Sequence, residues 1–267
     1  MAAVDSQLPK GPSGEASKLA AKHTAEHPLK LYGAWFCPFV QRAWITLQEK
    51  AMDYQYIEIN PYDKSPSFLA MNPRGLVPTL VVDGAKPLFE STIICEYLDD
   101  VRPDGPKLLP TEPYQRARAR LWIDHIGSRI VPAFYRMMQH QPDKDYSLDE
   151  VRAELRRQVE ALVEQMDPRG PWFLGDKISL VDISLIPWLR RLWLVDEYKP
   201  GGSGLPKGGE GDVWVRWAAW VEAVNAQQSA RETSSDDESY LAAYKRYAED
   251  TTGSKVGQAT RGGQKLP

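Results

Sequence analysis

The sequence predicts an α/β domain over residues 28–109, followed by an all-helical domain over residues 113–248. Apolar runs of strand length alternate with helical patterns in the first region, whereas only helical spacing appears in the second. The segment 102–106 holds one glycine and two prolines, and it ends the last helix of the first region. With 267 residues, the chain has the length of one large domain or of two ordinary ones.

The elements of the α/β region follow from apolar spacing and from turn signals. Asp83-Gly84 is a strong hairpin signal, because both residues accept the positive φ angles of tight turns. Pro38 is suited to the first position of a helix, where the missing amide hydrogen costs nothing. The predicted order is strand Leu29–Tyr32, helix Pro38 to about Lys50, strand Tyr54–Ile59, short helix Pro66–Met71, strands Thr79–Val82 and Leu88-Phe89, and helix Thr92–Val101.

The second region is predicted to be helical from its apolar stripes. A helix is expected over Arg116–Tyr135, and two further stripes recur at helical spacing. Ser179 and Asp182 are predicted to form a capping box, a helix start without chemistry of its own. Residues 199–211 contain six glycines and two prolines, which predicts an irregular surface loop. The two stripes are Val151, Leu155, Val159, Leu162 and Met166, and Val213, Trp217, Trp220, Val221 and Val224.

The two ends of the chain are predicted to be disordered, as an arm over residues 1–27 and a tail over residues 249–267. The beginning has no apolar core, so it is not a secretory signal. Its Ala, Ser and Lys content suits a transit peptide, but Asp5, Glu15 and Glu26 count against one. No apolar run approaches the roughly 18 residues of a membrane span. We therefore expect a cytoplasmic protein that does not enter a membrane.

Charge and cysteine content exclude several classes of protein. The formal net charge of −3 argues against a nucleic-acid binder that relies on a basic surface. Two cysteines are too few for a disulfide scaffold or a cysteine-rich zinc site. The four histidines show no metal-ligand spacing, and His23 and His27 lie in the predicted disordered arm. No metal cofactor is expected.

Cys37 is the candidate nucleophile. It lies between the first predicted strand and Pro38, at the beginning of the first helix. Free amide groups and the helix dipole favour a thiolate at such a position, with a pKa of roughly 3.5–7.5. Val40 occupies the position of the second cysteine in a CxxC motif, so Cys37 would act as a single thiol. Cys95 lies among apolar residues within a helix and is predicted to belong to the core.

Three motifs resemble those of the soluble glutathione transferases, from about Pro28 to about Ala248. Cys37-Pro38-Phe39 looks like the omega class, in which cysteine replaces the tyrosine or serine of other classes. Residues 72–80, Asn-Pro-Arg-Gly-Leu-Val-Pro-Thr-Leu, look like the loop before the third strand. Residues 178–182 look like the folding element of the family's sixth helix. The pattern is most similar to fungal omega enzymes, then to the lambda and dehydroascorbate-reductase classes. The resemblance implies a thioredoxin-like domain followed by a helical glutathione-transferase domain.

The resemblance also implies a glutathione site. A cis bond between Val77 and Pro78 would present the Val77 backbone to the cysteinyl part of glutathione. Ser91 would cap the next helix, whose N-terminus holds the γ-glutamyl carboxylate. Lys64 would pair with the glycyl carboxylate, and Phe39 would flank the sulfur. The implied glutathione-binding residues are Phe39, Lys64, Leu76, Val77, Pro78, Glu90 and Ser91.

The function implied by the resemblance is a glutathione-dependent thiol transferase and reductase, with Cys37 as the catalytic residue and glutathione as co-substrate. Acceptors would be hydrophobic or glutathionylated small molecules, mixed disulfides or dehydroascorbate, bound in an open pocket lined by Trp122, Ile126 and Trp188. The family resemblance also implies a homodimer. The alternative is a non-enzymatic ligand-binding or regulatory protein, since this fold serves such roles too.

Overall fold

The N-terminal domain is built on a mixed four-stranded sheet. The structure, a computed structural model, describes residues 8–208 and 211–267. The sheet has the order β2-β1-β3-β4, in which β1 and β2 are parallel and the other pairs are antiparallel. This is the predicted thioredoxin-like arrangement. The strands are β1 Lys30–Gly33, β2 Gln55–Glu58, β3 Thr79–Val82 and β4 Lys86–Phe89.

Helices cover both faces of this sheet. Along helix α2, the residues Val40, Trp44 and Leu47 are buried, because their helical spacing turns one apolar face towards the sheet. They pack with Leu31 of β1 and Leu80 of β3 into one core. The helices of this domain and of the preceding segment are α1 Gly14–Lys22, α2 Pro38–Glu49, α3 Pro66–Met71 and α4 Ser91–Val101.

The hairpin between β3 and β4 turns where Asp83-Gly84 predicted it. Both residues have positive φ angles, of 50° and 71°. Glycine adopts this conformation without a steric penalty, and aspartate tolerates it better than most residues. The strand after the turn begins at Lys86, two residues earlier than predicted.

The C-terminal domain is entirely helical within the described residues. Its long helices enclose a core to which Trp188, Trp217 and Trp220 contribute. The predicted loop at 199–211 is irregular where the structure describes it, and residues 209 and 210 lie outside the described part. The helices are α5 Pro113–His125, α6 Val131–Met138, α7 Leu148–Val163, α8 Leu180–Leu189, α9 Trp193–Tyr198, α10 Asp212–Ala226, α11 Gln228–Glu232, α12 Asp237–Ala248 and α13 Lys255–Arg261.

The helix predicted over Arg116–Tyr135 is interrupted. Five residues, Ile126–Ile130, adopt π-helical geometry between α5 and α6. Pro132 lies one turn beyond. It has no amide hydrogen to donate, and its ring crowds the carbonyl four residues earlier. The wider π turn accommodates this proline and keeps the two helices continuous.

Asp182 does more than the predicted capping box requires. Its carboxylate accepts hydrogen bonds from the N–H and O–H of Ser179, at 2.8 and 2.6 Å. It also accepts the N–H of Phe173 at 2.9 Å and the indole N–H of Trp220 at 2.8 Å. Burial raises the pKa of this carboxyl, and the hydrogen bonds oppose that effect. Asp182 therefore links the start of α8 to Trp220 of α10 and to Phe173, which lies in the loop before α8.

The prediction of disordered ends is wrong where the structure describes them. In the arm, α1 buries Ala16 and Leu19, and the N–H of Ala16 donates to the Ser234 carbonyl at 3.2 Å. His23 stacks on Tyr54 with ring centroids 3.9 Å apart. These residues are ordered because they pack against parts of the chain that are distant in sequence, including Tyr54 and Ser234. Residues 1–7 of the predicted arm lie outside the described residues.

The tail is ordered for the same reason. Helix α13 packs against α6, and Gln139 donates to the carbonyl of the buried Gly257 at 3.2 Å. Arg261 donates to the Thr252 carbonyl at 2.7 Å and closes the segment on itself. Among the helices of the described part, none is long and apolar enough to cross a membrane.

Candidate functional site

Cys37 lies at the junction of β1 and α2. Its backbone is extended, with φ −78° and ψ 118°, and it is the N-cap residue of the helix that Pro38 opens. The Cys37 N–H donates to the Ala34 carbonyl at 2.9 Å, which folds the strand end into a tight turn. The half-buried thiol lies with Sγ 3.8 Å from the carbonyl oxygen of Val77. The nucleophile thus lies where the sequence predicts it.

The pKa of Cys37 differs from the sequence prediction. Burial raises the pKa of the thiol above its ordinary value of 9.0. The amide groups of Val40 and Phe39 lower it, as do the charges of Arg191 and Arg42, but burial prevails. The helix N-terminus lowers the pKa of the thiol, as predicted. The sequence could not show how strongly the folded protein excludes water from the sulfur, and this exclusion raises the pKa.

Arg191 brings a buried positive charge to this turn from the helical domain. It follows α8 and its side chain has no exposed surface. The guanidinium donates to the carbonyls of Phe36, at 3.4 Å, and of Pro187, at 2.6 Å. It also donates to the side-chain oxygen of Gln41 and to the Tyr240 hydroxyl. No carboxylate lies within ion-pair distance of it among the described residues.

Arg42 is a second buried cation, one turn into α2. Its Nε and Nη2 donate to the Ser184 carbonyl at 3.0 and 2.8 Å, and Nη1 donates to Ser91 Oγ at 3.4 Å. The guanidinium lies 4.5 Å from the ring centroid of Trp188. Burial lowers the pKa of Arg42 to about 10, which leaves the side chain charged at neutral pH. Two cations therefore favour an anion at the turn that carries Cys37.

The loop before β3 faces the thiol with its backbone. The Val77-Pro78 bond is cis, as the resemblance implies. The fully buried Asn72 holds this loop, because its amide donates to the Leu76 carbonyl at 2.9 Å and to Thr79 Oγ1 at 3.0 Å. Leu76 and Val77 are half-buried, and the Val77 carbonyl oxygen lies 3.8 Å from the Cys37 sulfur. The loop therefore presents the Val77 backbone to the thiol.

Glu90 and Ser91 begin α4, but the predicted cap is wrong. Glu90 is the N-cap residue, and Ser91 is the first residue of the helix, so the Ser91 hydroxyl accepts from Arg42 instead of capping. Glu90 has a φ of 74°, which is strained for a residue with a side chain. An ion pair with Arg74 holds its carboxylate. Strain of this kind is concentrated at functional sites.

Two family models match the two domains. The model described as "Glutathione S-transferase, N-terminal domain" matches residues 31–106, and the model of the C-terminal domain of the same family matches residues 145–223. Omega-1 glutathione S-transferase of Mus musculus is 33% identical over 186 residues, which cover 67% of this chain and 76% of the mouse protein. This chain belongs to the glutathione transferase family.

Solved structures agree with this assignment. Glutathione transferase Omega 3C from Trametes versicolor is 41% identical, with a TM-score of 0.76 over 86% of this chain and 99% of that one. A Tau-class enzyme from mango is 28% identical, with a TM-score of 0.72 over 84% of this chain and 100% of that one. The resemblance to the omega class, which was based on Cys37-Pro38-Phe39, is confirmed by the mouse and Trametes relatives.

In this glutathione transferase, Lys64 lies near the loop before β3, and Phe39 lies against the helical domain. Lys64 is half-buried beside Gly75. Burial lowers the pKa of its ammonium group, and the charge of Lys255 lowers it further. Phe39 packs edge to face on Trp188, with ring centroids 5.0 Å apart. Lys64 therefore borders the backbone loop, and Phe39 borders the helical domain.

The predicted open acceptor pocket is not present in this transferase as described. Ile126 has no exposed surface and Trp188 is 2% exposed, so both belong to the core. Trp122 is half-buried against His125 and Phe173. Aromatic residues at helical spacing are the pattern of a buried face as well as of a pocket. Of the three, Trp188 alone adjoins the candidate site, through Phe39.

Sequence reasoning missed four charged residues around the site: Arg42, Arg191, Glu58 and Lys255. Glu58 lies below the turn, where it accepts the Trp35 N–H at 3.0 Å and the Tyr56 O–H at 2.7 Å. Burial raises the pKa of Glu58 to about 7. The sequence gives one indication of Arg191, since two adjacent arginines, Arg190 and Arg191, interrupt an apolar run between Leu189 and Leu192. It gives none of Lys255, because that residue lies in the predicted disordered tail.

Proposed function

We propose that this glutathione transferase is a thiol transferase and reductase of the omega type, with Cys37 as its nucleophile. The observation that carries the proposal is the position of the Cys37 sulfur, at a helix N-terminus and 3.8 Å from the Val77 carbonyl. A hydroxyl at this position could only activate the sulfur of glutathione by a hydrogen bond. A thiol can form a disulfide with it, which favours exchange over conjugation.

Glutathione would bind along the loop that faces Cys37. The Val77 backbone would pair with the cysteinyl unit in the manner of an added strand, with Leu76 and Pro78 shaping that edge. The γ-glutamyl carboxylate would lie at the N-terminus of α4, beside Ser91. Free amide groups and the helix dipole favour an anion there. Glu90 would receive the γ-glutamyl amino group, because its carboxylate lies at that same helix end.

The remaining contacts concern the other end of the tripeptide and the sulfur. Lys64 would bind the glycyl carboxylate, because it is a half-buried ammonium group without a carboxylate within ion-pair distance in the described part of the chain. Phe39 would flank the sulfur and keep water from one side of it. Its position against Trp188 holds the ring in place.

The reaction would proceed by two thiol–disulfide exchanges. In the first, the Cys37 thiolate attacks the glutathionyl sulfur of a mixed disulfide. A Cys37–glutathione disulfide forms, and the acceptor thiolate leaves and takes up a proton. In the second, the thiolate of another glutathione attacks the glutathionyl sulfur on Cys37. Oxidised glutathione leaves, and the Cys37 thiolate is regenerated.

The charges around Cys37 bear on both steps. Burial raises the pKa of the Cys37 thiol in the free protein, and the charges of Arg191 and Arg42 oppose this by favouring the anion. The same cations favour the Cys37 thiolate as the leaving group in the second step, since a thiol of lower pKa leaves faster. Burial also keeps competing water from the mixed disulfide.

The acceptor class and the setting of the protein are further parts of the proposal. Glutathionylated small molecules and mixed disulfides are the acceptors that this exchange requires. Dehydroascorbate, which has no disulfide for this exchange, would be a second kind of substrate, reduced overall to ascorbate by two glutathione molecules with formation of oxidised glutathione. We also propose a cytoplasmic homodimer, in keeping with the family.

The test compares Cys37→Ser with a matched variant, Cys95→Ala. Both proteins are assayed for reduction of the mixed disulfide between glutathione and 2-mercaptoethanol, with reduced glutathione as the second substrate. We expect Cys37→Ser to be inactive and Cys95→Ala to retain activity, because Cys95 is a buried core residue. Near wild-type turnover by Cys37→Ser would refute the assignment. Glutathione binding without turnover by the wild type would favour the ligand-binding alternative.

A further inference from the structure

The C-terminal tail reaches the loop that borders the candidate glutathione site. After α12 the chain turns back, and Lys255, the first residue of α13, donates from Nζ to the carbonyl oxygen of Arg74 at 2.6 Å. The tail is fixed there by its own packing. Val256 and Leu266 lie against the main core, and Ser254 hydrogen-bonds the Tyr247 hydroxyl at 3.0 Å. Lys255 is thus held at the loop by a folded segment.

Lys64 approaches the same turn from the N-terminal domain. A Cβ atom placed on Gly75 would lie 3.6 Å from Lys64 Nζ, and Lys255 Nζ contacts the preceding peptide group. Burial lowers the pKa of Lys64, and repulsion from Lys255 lowers it further. The two ammonium groups therefore face one small region around the peptide unit that joins Arg74 and Gly75.

Within the part of the chain that the structure describes, no carboxylate neutralises this pair of lysines. Over residues 8–208 and 211–267, neither Lys64 nor Lys255 has a carboxylate within 4.0 Å, and the nearby Glu90 is engaged by Arg74. Two like charges held near each other destabilise the protein unless an anion lies between them. The site where this occurs is where the proposed function places the glycyl carboxylate of glutathione.

We propose that Lys255 binds glutathione, and that it forms with Lys64 a two-lysine site for the glycyl carboxylate. This rests on the proposed function. Each domain contributes one cation, so that binding of the carboxylate joins the tail to the thioredoxin-like domain. Lys255 lies 32 residues beyond the segment matched by the family's C-terminal model, which ends at residue 223. The contact therefore lies outside the segment that the family model describes.

The test pairs a change in the protein with a change in the ligand. Binding of reduced glutathione and of its glycyl monoethyl ester is measured by calorimetry for the wild type and Lys255→Gln. A third protein, Lys265→Gln, removes an exposed charge from the same tail as a control. Lys255 is exposed, so its replacement leaves the fold intact.

We expect Lys255→Gln to weaken glutathione binding about 2- to 5-fold at low ionic strength, the range of a partly exposed ion pair. The ester should bind the wild type and Lys255→Gln equally, since it has no glycyl charge, and Lys265→Gln should match the wild type. Equal glutathione affinity of the wild type and Lys255→Gln would overturn the inference while leaving the proposed function intact. An equal loss for the ester would also overturn it. If the wild type binds no glutathione, both proposals fail.

Discussion

Arg191 and Phe36 join the two domains at the reactive thiol. Nη2 of the arginine donates to the Phe36 carbonyl at 3.4 Å, and the next residue is Cys37. The same guanidinium holds the Gln41 side chain one turn into α2. Gln41 in turn donates to the Thr233 carbonyl at 3.2 Å. A cation from the helical domain thus braces both sides of the turn that carries the nucleophile.

Arg191→Met tests whether this cation favours the thiolate. We expect the pKa of Cys37 to rise further, because a charge that favours the thiolate is lost, and the thiolate fraction at a given pH should therefore fall. In the wild type, the rate of alkylation by iodoacetamide should still be rising at pH 9, because burial raises the pKa of this thiol. The measurement is the pH–rate profile of each protein, with the Cys37→Ser rate subtracted.

Arg191→Lys is the matched control, since it keeps the positive charge but lacks the planar set of guanidinium N–H donors. It should restore much of the alkylation rate if charge is what matters. Identical pH profiles for the wild type and Arg191→Met, in proteins shown to be folded by circular dichroism, would mean that Arg191 only supports packing.

Ser91→Ala separates binding from helix stability. Ser91 is not the cap of α4, but its hydroxyl accepts a hydrogen bond from Nη1 of the buried Arg42, so its replacement should lower the free energy of unfolding by about 1–3 kcal/mol. Glutathione affinity should fall several-fold, because a hydroxyl at the proposed γ-glutamyl carboxylate is lost. Titration of glutathione against Ser91→Ala and the neighbouring Thr92→Ala decides this. An unchanged dissociation constant for Ser91→Ala would place the γ-glutamyl end elsewhere.

Glu58 should make stability depend on pH. Burial raises its pKa from 4.5 to about 7 in the folded protein. Because the folded protein binds this proton more tightly than the unfolded chain, Glu58 contributes stability that is fully present below about pH 4.5. This stability is lost as the pH rises through 7. Relative to Glu58→Gln, the wild type should therefore lose up to about 3 kcal/mol between pH 4.5 and 8.

Urea denaturation of the wild type and Glu58→Gln at several pH values measures this difference. Asp63→Asn, on the protein surface, serves as the control and should follow the wild type at every pH. A constant difference between the wild type and Glu58→Gln would show that folding does not raise the pKa of Glu58.

Asp182 is predicted to be one of the most sensitive residues for stability. Asp182→Ala would leave the buried donors of Phe173, Ser179 and Trp220 without their acceptor, at about 1–3 kcal/mol each. We expect a loss of at least about 3 kcal/mol in the free energy of unfolding, measured in urea. Asp176→Ala, an exposed neighbour, should cost far less. A loss below 1 kcal/mol for Asp182→Ala would show that water replaces the carboxylate.

Local signals predicted most of the scaffold. Pro66–Met71 and Thr79–Val82 occur with the predicted bounds, because a proline start and a turn pair are encoded within a few residues. Cys37 was found for the same reason. By contrast, helix α1 has only two buried residues, Ala16 and Leu19, and the residues that bury them are distant in sequence. Local periodicity could not reveal this helix.

The parts of the site that escaped prediction depend on the packing of the two domains. Arg191 and Ser184 approach α2 from the helical domain, and Lys255 approaches the Arg74 carbonyl from the end of the chain. The raised pKa of Cys37 also depends on the assembled fold, since the residue packs against both hydrophobic cores. Sequence spacing identifies the nucleophile, but its electrostatic surroundings require the assembled fold.

The most direct test of the account is the product that forms between the protein and oxidised glutathione. The wild type, Cys37→Ser and Cys95→Ala are incubated with oxidised glutathione, and their intact masses are recorded before and after addition of reduced glutathione. We expect one glutathionyl group on the wild type and on Cys95→Ala, none on Cys37→Ser, and complete removal of that group by reduced glutathione. An unmodified wild type, or a modified Cys37→Ser, would contradict the account.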